Sequence, residues 1–149
     1  MVETYLLRLV KTYNEGRRPN QKIGIGIVEG FVMDSNIIVV KSKDFAVKIV
    51  SLYKHLTLDK KEHVLSQQLL KCGTGIGANI HAAVCSQGTT DFAAKMKSAL
   101  SEAIETEYWL ELLRDTKYIT EKEAESILKD CVELIKILVS ITKIVKPNK

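Results

Sequence analysis

Two prolines, Pro19 and Pro147, bracket the chain, and no residue between them forces a helix to break. From Ser42 to Lys146 apolar residues recur at spacings of three and four almost throughout, the period of amphipathic helices. Phe45, Ile49, Leu52, Tyr53 and Leu56 mark the first stripe. Asp59 is placed to cap the next helix, whose stripe is Leu65, Leu69, Cys72, Ile76, Ile80 and Ala83. Gly88 or Thr89 opens a third helix, with Phe92, Met96, Ala99, Ala103, Thr106, Leu110 and Leu113 on one face. The pattern Thr120-Glu-Lys-Glu123 is a capping box for a fourth. That helix carries Ala124, Ile127 or Leu128, Cys131, Leu134 or Ile135, Leu138, Ile141 and Val145, and Pro147 ends it. Four such helices with short connections define an all-α, up-and-down four-helix bundle.

The first forty residues read differently. Leu6, Leu9, Val10 and Tyr13 suit one short helix, and Glu15 to Gln21 reads as a linker. "KIGIGIVEGFV" and "NIIVV" look β-like or irregular, being rich in β-branched residues and glycine. The folded unit is expected to begin near Met33, which makes residues 1–32 a poorly defined N-terminal extension and residues 33–149 the bundle. The extension does not concentrate charge: of the chain's net +4, it carries +2.

Composition narrows the function. At 149 residues with 46% hydrophobic and 27% charged residues, the chain is an ordinary globular domain. No apolar run approaches the roughly 20 residues of a bilayer span, so no membrane partner is expected. Glu3, Arg8 and Lys11 break up any signal-peptide pattern. The three cysteines are odd in number, far apart and without a C-x-x-C, which favours a reducing cytoplasm over a disulfide framework.

"LLKCGTGIGANIH" (Leu69 to His81) holds Gly73, Gly75 and Gly77. A phosphate-binding loop needs a strand before it and a fresh helix N-terminus after it. Here amphipathic helix precedes the glycines, the stripe keeps its phase through them, and no G-K-[ST] follows. A continuous helix from Cys72 to Ala83 is expected, without a nucleotide or other cofactor. Three interior glycines cost roughly 2–3 kcal/mol against alanine. Close approach of another helix to Gly73 and Gly77, with Ala78 beside them, offsets that cost. Asn79 then needs hydrogen-bond partners on a neighbouring helix.

"GTGIGANI" (Gly73 to Ile80), Asp91-Phe92 and "EAIETEYWLELL" (Glu102 to Leu113) together resemble the four-helix-bundle family of 23S rRNA intervening-sequence proteins. The resemblance covers about Asn36 to Val145. It implies a small helical bundle that assembles as a ring-like homopentamer, often encoded within large-subunit ribosomal RNA genes and without a defined biochemical role. It also implies a distant similarity to the accessory protein of diversity-generating retroelements, a basic pentamer that binds nucleic acid and a reverse transcriptase. The chain departs from the pattern at Gly75, Ala82 and Gly88, where the family usually has Ser, Glu and Ser.

The residues themselves offer little chemistry. His81 and Cys85 have a spacing that can hold zinc, but tetrahedral zinc wants four ligands, and no metal is expected. Glu102, Glu105, Glu107 and Glu111 crowd the third helix, yet the Glu-x-x-His pairs of a di-iron bundle are missing. No catalytic residue is assigned and no enzyme is expected. Leu100, Ile104 and Tyr108 form a second stripe on the third helix with Trp109 beside it, the expected homo-oligomer interface. Lys71, Lys95 and Lys97 are the expected contacts to RNA or DNA, set against an ordinary solvated surface. Two functions follow: an oligomeric bundle that binds nucleic acid or a nucleic-acid enzyme, or a self-assembling protein with no ligand, a passenger of its genetic insert.

Overall fold

A computed structural model describes the backbone of residues 25–86 and 88–145, with side chains from residue 37 onward within those ranges. It contains four helices and, among the described residues, no strand: α1 (Ile25–Leu58), α2 (Leu65–Val84), α3 (Thr89–Asp115) and α4 (Glu121–Ile144). α1 packs on α2, α2 on α3 and α3 on α4, and α4 returns against α1. The bundle is the expected one, and the predicted stripes supply its core. Ile49, Leu56, Leu69, Ile76, Ile80, Met96, Ala103, Leu110, Leu134 and Leu138 are all fully enclosed or nearly so. Each large aliphatic side chain buried this way contributes roughly 1.5–3 kcal/mol.

From Ile25 onward, the segment expected to be β-like is helix. α1 runs unbroken from Ile25 through Met33, the residue near which the bundle was expected to begin. β-branched residues disfavour helix only weakly, and tertiary packing overrides them. The stripe of Phe45 and Ile49 extends upstream to Ile38, which is fully buried. Ser42 lies between them in the same phase, its hydroxyl donating to the Val39 carbonyl at 3.1 Å. The short helix expected over Leu6–Tyr13, the linker Glu15–Gln21 and Pro147 lie outside the described residues.

Asp59 does not cap α2. The chain leaves α1 through Lys61, which takes a positive φ of 56°, and the carboxylate of Glu62 performs the capping. It accepts from the backbone N–H groups of Val64, Leu65 and Ser66 at 3.0, 2.8 and 2.7 Å. Burial alone would push the Glu62 carboxyl up, but these bonds outweigh it and hold the group below its usual range. At α4 the predicted capping box is complete: Glu123 N–H donates to the Thr120 hydroxyl, and Thr120 N–H to the Glu123 carboxylate. Gly88 stands at the N-cap of α3, as the sequence suggested.

Candidate functional site

The glycines lie inside α2, which is continuous from Leu65 to Val84. A Cβ on Gly73 would lie 2.8 Å from Ile49 Cγ1, and one on Gly77 would lie 3.4 Å from the Ser42 carbonyl oxygen. α1 therefore passes close over both positions, with the Ile49 side chain against Gly73 and the backbone of Ser42 against Gly77. Ala78 is exposed and takes no part in that seam. It follows Gly77 by one residue, a turn of about 100° that carries it off the shared face. Asn79 needs no partner on a neighbouring helix: its Nδ2 donates to the Gly75 carbonyl at 2.9 Å, within its own helix. Gly75 faces α3, where a Cβ would meet Glu102 Cδ at 3.2 Å. Burial, with Glu105 nearby, pushes the Glu102 carboxyl above its usual range, and Lys71 opposes that shift.

One stripe on the outward side of α3 is apolar over two turns, beside exposed Ser101 and Glu105. Ile104 is 52% exposed and Tyr108 58%, with half-buried Leu100 one turn earlier. Trp109 is set about 100° round the helix from Tyr108. It packs partly on the core, with its indole Nε1 donating to Glu105 at 3.1 Å. The two rings still touch edge to face, with centroids 5.2 Å apart. Leu100, Ile104 and Tyr108 thus make one stripe, and Trp109 is its inner margin.

The three lysines singled out in the sequence do not converge. Lys95 and Lys97, two residues apart, point about 200° from one another, and Lys95 is half-buried. Lys71 lies on α2 beside Glu102, which offsets its charge.

A different basic feature emerges on α4. Lys122, Lys129, Lys136 and Lys143 recur every seven residues, and all four are exposed. None has an ion-pair partner among the described residues. The seven-residue spacing was there to be read in the sequence. The interspersed Glu121, Glu123, Glu125, Asp130 and Glu133 hide it until their partners are known.

Cys72 and Cys131 are buried, and Cys85 is exposed at the end of α2. His81 is exposed one turn before Cys85. Among the described residues no three His, Cys, Asp or Glu side chains gather closely enough to hold a metal ion. No helix among them is long and apolar enough to cross a membrane.

The architecture defines a small antiparallel four-helix bundle with an apolar outer stripe on one helix and a basic row on the next. Residues 34–140 match the family model of the 23S rRNA-intervening sequence protein, and the chain belongs to that family. It is also similar to a crystal structure, at 1.70 Å resolution, of a protein of unknown function from the S23 ribosomal protein family of Bacteroides thetaiotaomicron. The two share 52% sequence identity with a TM-score of 0.73, over 74% of this chain and 98% of the other. No curated protein matches the chain.

Proposed function

We propose that the protein is a non-enzymatic bundle that works as a homo-oligomer and binds nucleic acid, or an enzyme acting on nucleic acid, through basic surface. The observation that carries self-association is the α3 stripe, where Ile104 and Tyr108 leave more than half of their surface in water beside Leu100. Apolar surface left in water forfeits roughly 25 cal/mol per Å². A few side chains of this size favour association by several kcal/mol before entropy is subtracted. A closed ring covers the stripe in every copy, and the family resemblance points to five. The proposal sets the protein in the cytoplasm, where its three unpaired thiols stay reduced.

Light scattering tests the assembly. The wild type is expected at a multiple of the 16.7 kDa chain mass, most simply five copies. Ile104→Asp with Tyr108→Asp is expected to give a folded but smaller species. A wild-type mass of one chain at micromolar concentration overturns the assembly. An unchanged mass in the double variant moves the interface off α3. An assembly that retains no RNA or DNA at low salt is the self-assembling protein without a ligand.

A further inference from the structure

We propose that the lysine row of α4, formed by Lys122, Lys129, Lys136 and Lys143, is the contact surface for the phosphodiester backbone of a nucleic acid. This rests on the nucleic-acid part of the function proposed above and not on the assembly. At 1.5 Å per residue the row spans about 32 Å, in steps of about 10 Å. A seven-residue repeat drifts only about 20° per step on a straight helix, so the four ammonium groups stay on one outward strip.

Most acids of the same helix are engaged by other groups, although Glu121, Glu125 and Glu133 share a groove with Lys129 and Lys136. Glu133 pairs with Lys41 of α1 at 2.8 Å, and Asp130 pairs with Lys48 of α1. Glu121 reaches back to Lys117 at 3.6 Å, and Glu123 is taken up by the Thr120 cap. Of the carboxylates on α4, Glu125 alone has no partner among the described residues. The four lysines are therefore left without an ion pair of their own among the described residues, and Glu125 is the one unpaired acid beside them. Arg114, itself paired with Asp115, lines one shallow groove with Lys129, Lys136, Glu121, Glu125 and Glu133, and Lys48, paired with Asp130, lines another with Lys122 and Glu123.

The shape of the row selects among polyanions. A helix that binds an anionic membrane turns an apolar face to the lipid. The apolar face of α4 is in the core, and its one exposed large apolar residue is Ile144, at its C-terminal end. A single file of point charges suits a linear polyanion instead. Nucleic acid is the densest of these, with one phosphate per roughly 1.7 Å of duplex axis, so no register between lysines and phosphates is needed. Recognition is accordingly electrostatic and indifferent to sequence.

The test uses the full chain and fluorescence anisotropy, with a labelled single-stranded RNA in one arm and a labelled duplex DNA in the other. Four contacts give a log–log salt slope of about −3.6 on duplex and about −2.8 on a single strand. Between about 50 and 200 mM salt this is an affinity loss of roughly 50- to 150-fold, and the arm with the tighter binding identifies the source. Lys129→Gln with Lys136→Gln is expected to halve the slope. Lys95→Gln with Lys97→Gln removes the same charge elsewhere and is expected to leave it unchanged, with circular dichroism showing that both variants remain folded. Equal losses from the two pairs overturn the row while nucleic-acid binding stands. No wild-type binding in either arm at low salt overturns both. Polyglutamate or phosphatidylserine vesicles held as tightly as nucleic acid at equal salt overturn the assignment of the partner.

Discussion

Gly73 and Gly75 lie two residues apart on α2 and meet opposite kinds of neighbour. Gly73 faces the base of a branched side chain, Ile49, with Cγ1 and Cγ2 within 2.9 Å of where a Cβ would sit. Those atoms sit one bond from Cβ on a fully buried side chain, close to the α1 backbone. Gly75 faces the far end of Glu102, a flexible and only half-buried side chain. The α1–α2 seam is closed by the absence of a side chain, whereas the α2–α3 seam merely tolerates that absence. A glycine in a helix is therefore not evidence of close packing until its neighbour is known.

The sharpest way to break this contrast is Gly73→Ala. Overpacking against Ile49 costs about 1–3 kcal/mol, and the better helix propensity of alanine returns about 1. The expected net loss of up to about 2 kcal/mol lowers Tm by up to about 6 °C in a domain of this size. In an Ile49→Ala background the loss should disappear, because the opposing atoms are gone. If it persists in a double-mutant cycle, the clash is elsewhere. Gly75→Ala should act in the other direction, with a gain of about 0.5 kcal/mol from propensity once Glu102 has moved. A fall in Tm for this variant would show that the α2–α3 seam is as tight as its partner.

The smallest expected effect is dependent on pH. An acid whose folded-state pKa is raised weakens the fold when it is charged and stops doing so as pH falls through that raised value. Glu102 is such a group, because burial and Glu105 both disfavour its charge. Glu102→Gln is expected to raise Tm slightly at neutral pH. The gain should shrink as pH falls and vanish below about pH 4, where the unfolded carboxyl is protonated too. A gain that is constant across this range would assign the effect to packing instead of charge.

Much of the fold was legible because its signals are local and periodic. The stripes of α2, α3 and α4, the Thr120 capping box and the helical character of the glycines all followed from spacing alone. The upstream half of α1 was not legible, because Ile and Val beside glycine carry a β-like local preference that packing overrides. The start of α2 was misassigned to Asp59, because the capping carboxylate comes from Glu62, after a turn through a left-handed lysine that spacing does not signal. Of the surface residues, Ile104 and Tyr108 stood out as apolar positions off the core stripe. Lys95 and Lys97 are neighbours in sequence, but the turn of α3 points them to nearly opposite sides. Which of the α4 lysines stay unpaired is not legible in the sequence, because it depends on which acids pair across to α1.

The placement of the cysteines makes the protein its own clock. Cys85 is exposed, whereas Cys72 and Cys131 are about 1% and 0% accessible, in α2 and α4 respectively. Burial pushes the Cys131 thiol up to about 12, so it stays protonated and unreactive while the bundle is closed. A thiol reagent therefore finds one site at once and reaches the other two only when helices part. The delay between first and later modification measures how often the interior opens under native conditions, with no label introduced and no residue changed.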